Sequence, residues 1–192
     1  MPGLASRPAN QGDDVVGTRR AVFLDRDGVI VIPEFRDGRS FAPRSIEDFR
    51  IYPEAAAALE DLRAAGFALV VVTNQPDVGC GLISADALEA MHAELNSALP
   101  IDRIEVCTHG RDEGCQCRKP APAMLQSAAA AMGLDLRASF MVGDRASDVE
   151  AGKRAGCRTI FIDQSYEQES APSDPDFVCG GLGAAAGWIL SR

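Results

Sequence analysis

The stretch Ala21-Val22-Phe23-Leu24-Asp25-Arg26-Asp27-Gly28 runs from an apolar, strand-like segment straight into two carboxylates spaced two positions apart. Side chains at i and i+2 of an extended chain share a face, and open α/β sheets build their active sites at the carboxyl ends of strands. Asp25 and Asp27 therefore read as members of one site. Paired carboxylates suit metal-assisted group transfer, because one attacks as nucleophile while a neighbour with a raised pKa gives a proton. The same tetrad also reads as a plain turn, with Asp and Gly supplying the geometry.

Outward from this stretch, apolar β-branched runs recur at Ala21 to Leu24, Ala68 to Val72, Arg103 to Val106, Phe140 to Val142 and Thr159 to Ile162. Helix-like segments separate them, the alternation of a parallel α/β sheet. Pro53, at a first helical position, leads a helix over Glu54 to Ala65 that Gly66 stops. Ser84 caps a second helix with Leu88, Met91 and Leu95 on one apolar face. Pro122 to Met132 before Gly133, Ala146 to Ala155 before Gly156, and Leu182 to Leu190 give three more. Ala68 to Val72 is continuously apolar, as a strand buried on both faces should be. Residues 29 to 52 have no clear periodicity, and loops of that length in compact domains are usually functional or disordered.

At 192 residues, 46% hydrophobic and 24% charged, the chain suits one globular domain over 19–192 behind a flexible tail over 1–18. No apolar run reaches the roughly 18 residues that a membrane span needs, and the N-terminus lacks the apolar core of a secretory signal. A cytoplasmic protein with no membrane partner is expected. A net charge of -9 disfavours nucleic acid. It favours a small substrate, and a phosphorylated one would need local cations or a metal.

Three further motifs end predicted strands or open helices. Thr73-Asn74-Gln75 offers a hydroxyl and backbone N–H groups for a phosphate oxygen, or is an ordinary strand exit. Arg118-Lys119-Pro120 puts a lysine before a helix, where it could neutralise charge on a transferring phosphoryl group or be a solvated surface cation. Gly143-Asp144-Arg145-Ala146-Ser147-Asp148 ends a strand with two acids at i and i+4, Asp144 being equally well placed as a helix cap. One carboxylate from the first motif and one from the last would suffice for magnesium, which prefers hard oxygen ligands.

Taken together and in this order, Asp25-x-Asp27-Gly28, Thr73, Lys119 and Gly143-Asp144 with Asp148 resemble the four motifs of the haloacid dehalogenase superfamily of phosphatases, over nearly all of residues 20 to 162. The resemblance implies a Rossmann-like parallel sheet flanked by helices. It makes Asp25 the nucleophile that forms a phosphoaspartate and Asp27 the general acid and later base. Thr73 and Lys119 would hold the phosphoryl group. Asp25, the Asp27 carbonyl and Asp144, supported by Asp148, would hold magnesium. The spacing between motifs leaves no room for a cap domain.

Cys107-Thr108-His109 and Cys115-Gln116-Cys117 are two ligand-x-ligand pairs joined by a short polar loop. Three thiolates and an imidazole make a closed tetrahedral site for structural zinc; the alternatives are free thiols or a redox pair. A loop so short and polar has little apolar material of its own to order it. Cys157 and Cys179 read as core residues, Cys80 as unligated and His92 as structural.

This cysteine loop, running directly into Arg118-Lys119-Pro120, is similar to the histidinol-phosphate and D-glycero-D-manno-heptose 1,7-bisphosphate phosphatase group. That likeness implies a magnesium-dependent phosphatase that removes the 7-phosphate of the heptose bisphosphate; a monomer is expected. Arg26, Asn74, Gln75, Arg118 and Arg145 are its expected substrate contacts. Histidinol phosphate is the alternative substrate, with Glu34 or Asp37 meeting its amine, and a non-catalytic module binding phosphorylated ligands is the alternative outside enzymes. The heptose enzymes typically have Asn at Val31, Arg at Cys80 and Gly at Ala123, so the chain departs from them around the substrate entrance.

Overall fold

A computed structural model describes residues 19–36, 39–110, 112–166 and 170–192; the expected N-terminal tail and Asp37 lie outside them. The decisive stretch forms strand β1 (Ala21–Leu24), completely buried at the centre of a six-stranded sheet. Its neighbours are β4 (Ala68–Asn74) and β6 (Phe140–Gly143), flanked in turn by β5 (Arg103–Cys107) and by β7 (Arg158–Ile162) and β8 (Phe177–Cys179). Every pairing in the sheet is parallel. The chain winds outward from β1 to β5, then crosses back to β6, so the strand order changes direction beside β1. In an open α/β sheet the crevice at such a point is where ligands bind.

Side chains alternate across this sheet as the pleat requires. Val22 and Leu24 of β1, with Leu69 and Val71 of β4, pack under α1 (Ala55–Ala64), α3 (Ala85–Ala98) and α6 (Leu182–Leu190). Ala21 and Phe23, with Val70 and Val72, face α4 (Ala123–Met132) and α5 (Ala146–Ala155). The helices therefore follow the sequence reading closely. Ser84 caps α3 by accepting from Ala87 N at 3.1 Å, and Gly133 and Gly156 end α4 and α5 in the left-handed conformation. Pro53 lies just outside α1, which begins at Ala55 behind Glu54. No helix among the described residues is long and apolar enough to cross a membrane.

Three features exceed the sequence reading. Within residues 29–52 an antiparallel pair, β2 (Glu34–Arg36) and β3 (Arg39–Phe41), stands apart from the main sheet. A one-turn helix, α2 (Pro76–Gly79), follows β4, and β8 adds an edge strand. Each is only three or four residues long, too short to display a period.

Two helical glycines differ sharply in surroundings. A Cβ at Gly152 in α5 would stand 2.7 Å from Met141 Cβ and 2.8 Å from Thr159 Cγ2, whereas one at Gly187 in α6 would meet nothing within 4 Å. Gly152→Ala should therefore lower stability by about 1–3 kcal/mol through overpacking. Gly187→Ala should raise it by about 0.5–1 kcal/mol through helix propensity. Urea unfolding of the two variants checks both signs.

Candidate active site

The four motifs converge at the carboxyl ends of β1, β4 and β6. Asp25 follows β1, and its backbone N donates to Val142 O of β6 at 2.9 Å. Lys119, almost fully buried, reaches across with Nζ 2.8 Å from Asp25 Oδ1, 2.8 Å from Asp148 Oδ1 and 2.7 Å from Val72 O. Burial opposes the charge on this lysine, but the carboxylates of Asp148 and Asp25 outweigh it and raise its pKa. It is a fixed cation.

Asn74 explains how a lysine on a loop is held so firmly. Its Oδ1 accepts from Lys119 N at 3.0 Å and its Nδ2 donates to Lys119 O at 3.2 Å. Gln75 plays a similar part, with Nε2 donating to Asp27 Oδ2 at 2.7 Å and to Thr73 Oγ1 at 2.9 Å. Thr73 is almost fully buried beneath these residues and accepts that bond through its hydroxyl oxygen.

Asp25, Asp144 and Asp148 bring carboxylate oxygens within 4.8 Å of one another. Burial, then the charges of Asp25 and Asp148, push the Asp144 carboxyl well above the usual range. Burial also raises Asp148 to about 6 despite the opposing pull of Lys119. Oδ1 of Asp144 is buried without a hydrogen-bond partner among the described residues. Hard oxygen donors, an open buried oxygen and more negative charge than one lysine offsets are together what Mg2+ fits. Two glycines permit this approach, since a Cβ at Gly28 (φ +88°) would collide with the Asp144 carboxylate and one at Gly143 with the Asp148 side chain. Asp144 is not the cap of α5; Arg145 holds that position, and its N donates to Asp148 Oδ2 at 3.0 Å.

Above these residues lies a cavity of about 200 Å³ whose walls include Asp25, Asp27, Lys119, Arg118 and Arg145. Nη1 of Arg118 is buried with no partner among the described residues. Arg145 donates through Nη2 to Ser40 Oγ at 2.7 Å and Ser40 O at 3.2 Å, which ties α5 to β3. Arg26 corrects an expectation: its side chain is fully buried and lines no part of the cavity. Its Nε lies 3.1 Å from Asp27 Oδ1, its Nη2 3.0 Å from Asp27 Oδ2 and its Nη1 3.3 Å from His92 Nε2, with Phe49 beneath the guanidinium. It orients Asp27 rather than meeting a substrate. Nothing in sequence spacing distinguishes the two roles.

Other wall residues went unassigned in the sequence. Ser40, Phe41 and Ala42 come from the aperiodic stretch after the acid pair, and Asp77 from α2. Asp77 is paired with Arg44 at 2.7 Å. Glu34 bonds Arg36 at 2.9 Å and lies off the wall.

Cys107, His109, Cys115 and Cys117 gather beside the site. Cys117 Sγ lies 3.2 Å from both Cys107 Sγ and His109 Nδ1, and the other sulfur-to-sulfur separations are 3.6 Å. A zinc–sulfur bond near 2.3 Å gives tetrahedral edges of about 3.8 Å, so four ligands at these separations could close around one ion. All six cysteines are free thiols. The α2 loop leans on this cluster, with Gly79 N donating to Thr108 O at 3.0 Å.

A family model described as HAD-hydrolase-like matches residues 116–185. The D-glycero-β-D-manno-heptose-1,7-bisphosphate 7-phosphatase of Bordetella bronchiseptica is 34% identical over 183 residues, covering 90% of this chain and 99% of that one. Its counterpart from Rhodopseudomonas palustris is 40% identical over 151 residues, covering 72% and 80%. The chain belongs to this phosphatase family, within the haloacid dehalogenase superfamily. The Bordetella bronchiseptica D,D-heptose 1,7-bisphosphate phosphatase, solved with magnesium and phosphate, superposes with a TM-score of 0.76 at 30% identity, covering 90% of this chain and 98% of that one. The chain is thus a phosphoric monoester hydrolase, and the reading as a non-catalytic binding module is set aside.

His92 gives the phosphatase a pH signature. Arg26 can only donate, so His92 Nε2 must accept, which requires the neutral ring. Burial, then the Arg26 charge, lower its pKa from 6.5 to about 4. Between those values the unfolded chain binds a proton that the folded chain refuses, so stability is full above pH 6.5 and falls as pH drops toward 4. Thermal unfolding of His92→Asn should show a shallower loss of Tm than wild type across that window.

Proposed function

We propose that the enzyme is a magnesium-dependent phosphomonoesterase acting through a phosphoaspartate at Asp25, and that it removes the 7-phosphate of D-glycero-D-manno-heptose 1,7-bisphosphate. The observation that carries this reading is one cavity with a carboxylate–lysine floor and two further guanidiniums on its walls. A substrate with a phosphate at each end needs both. One phosphate would sit over Asp25, held by Lys119 and Thr73; the other would meet Arg118 and Arg145, whose planar forks suit phosphate oxygens.

In the first step Asp25 attacks phosphorus while Asp27 gives its proton to the departing sugar oxygen. Arg26 and Gln75 hold Asp27 in line for that transfer. Asp27 then takes a proton from water, which attacks the phosphorus of the acyl phosphate and releases inorganic phosphate. Asp25, the Asp27 carbonyl and Asp144, with Asp148 in support, would hold Mg2+; when bound, it offsets the repulsion between a carboxylate and a phosphate dianion. Asp25→Asn should cut phosphate release by at least about 10³-fold, read by colorimetric phosphate assay.

Histidinol phosphate is less well supported among the described residues: Asp77 on the wall is paired with Arg44, and Glu34 is paired with Arg36 and lies off the wall. Arg118→Ala should raise KM for the bisphosphate by about 10–100-fold while leaving a small sugar monophosphate nearly unaffected. Equal effects on both substrates would contradict a second phosphate site.

The cysteine–histidine cluster is read as a structural zinc site that fixes the loop carrying Arg118 and Lys119. Stripping zinc with a chelator should lower Tm by roughly 10 °C or more; an unchanged Tm after verified removal would refute that role. Residues 19–192 form the single catalytic domain. A monomer in a reducing cytoplasm completes the reading, the cysteines being unpaired by disulfides.

A further inference from the structure

Tyr166 lies outside all four motifs, on the segment that leaves β7, yet it touches the centre of the site. Its hydroxyl donates to Asp144 Oδ2 at 2.6 Å. That bond occupies one oxygen of a buried carboxylate, while the other, Oδ1, is buried with no hydrogen-bond partner among the described residues. The phenol is itself fixed from three directions. Its ring packs against Phe35 of β2 with centroids 5.8 Å apart, its oxygen is hydrogen-bonded by the Ser40 side chain of β3, and Gly28 lies close enough that a Cβ there would come within 2.7 Å of the hydroxyl. Ser40 in turn receives Arg145. One side chain therefore joins a carboxylate of the candidate metal site to the hairpin that walls the substrate cavity.

We propose that Tyr166 is a positioning residue for the metal: it holds Asp144 in the single orientation that presents Oδ1 to Mg2+, and it anchors the β2–β3 hairpin to that carboxylate. The inference rests on the magnesium reading above and deepens it. A carboxylate that ligates a metal through one oxygen gains when a neighbour binds the other, because the rotamer is fixed before the ion arrives and its basicity is tuned. Losing such a partner typically costs 10–100-fold in metal affinity. A tyrosine suits the task here, since its rigid ring reaches the carboxylate from the hairpin side while the hydroxyl supplies a single donor.

The test is Mg2+ titration of the metal-stripped enzyme by calorimetry, without substrate, on wild type and Tyr166→Phe. The phenylalanine keeps the ring against Phe35 and removes only the donor, and Tm of the metal-free variant should stay within about 3 °C of wild type. The expected result is a Kd for Mg2+ weaker by 10–100-fold. Activity should follow the same displacement, with half-maximal Mg2+ rising by that factor. A Kd unchanged within twofold would overturn the proposal, and so would tighter binding, which would mean that the phenol competes with the ion. If wild type itself takes up no Mg2+, the metal reading fails and the proposal falls with it, an outcome distinguishable from a failure confined to Tyr166.

Discussion

A single buried ammonium organises this molecule. Lys119 Nζ is shared among Asp25, Asp148 and the Val72 carbonyl, three acceptors carried by the ends of β1 and β4 and the first turn of α5. An ammonium stripped of water is costly unless every proton finds a partner, and here all three do. The contact needs the sheet to bring those ends together, so the fold positions the site. The same lysine is outnumbered, because Asp25, Asp144 and Asp148 crowd one small volume. Burial first, and then the charges of Asp25 and Asp148, raise the pKa of Asp144. A divalent cation held by these hard oxygen donors would offset that crowding.

Support for the lysine comes from two sides. The Asn74 side chain brackets the Lys119 peptide with two hydrogen bonds, and the cysteine–histidine cluster anchors the loop that delivers it. That loop has few apolar contacts beyond Cys107, Cys115 and Cys117 themselves, so an ion there would do the work that a hydrophobic core does elsewhere. The α2 segment docks on the same loop through Gly79, where a Cβ would stand 2.5 Å from Thr108 O. Asp77 of α2 is in turn paired with Arg44.

Much of this was legible in the sequence because the chemistry sits at strand ends. A run such as Ala68 to Val72 can only be an interior strand, and the polar residues after it must lie at the sheet's carboxyl edge. Three such edges place Asp25, Thr73 and Asp144 on one side of the sheet, and Lys119 joins them from the loop before α4. The close spacing of Cys107 to Cys117 revealed their cluster in the same way. What escaped depends on side-chain direction and on contacts distant in sequence. Arg26 lies between two site acids, yet points into the protein because Phe49 and His92 receive it. Asn74 acts through the backbone of a residue 45 positions away. The β2–β3 hairpin is held by Tyr166 and Arg145, not by any period of its own.

The central claim is that the Asp25 carboxylate takes the phosphoryl group before water does. Enzyme quenched during turnover of the heptose bisphosphate can be reduced with borohydride, which converts an aspartyl phosphate to homoserine, and the peptide spanning residue 25 can then be sequenced by mass spectrometry. Homoserine at position 25, dependent on substrate and Mg2+, is the predicted result. Homoserine at another aspartate, or none at any position while phosphate accumulates, would contradict it.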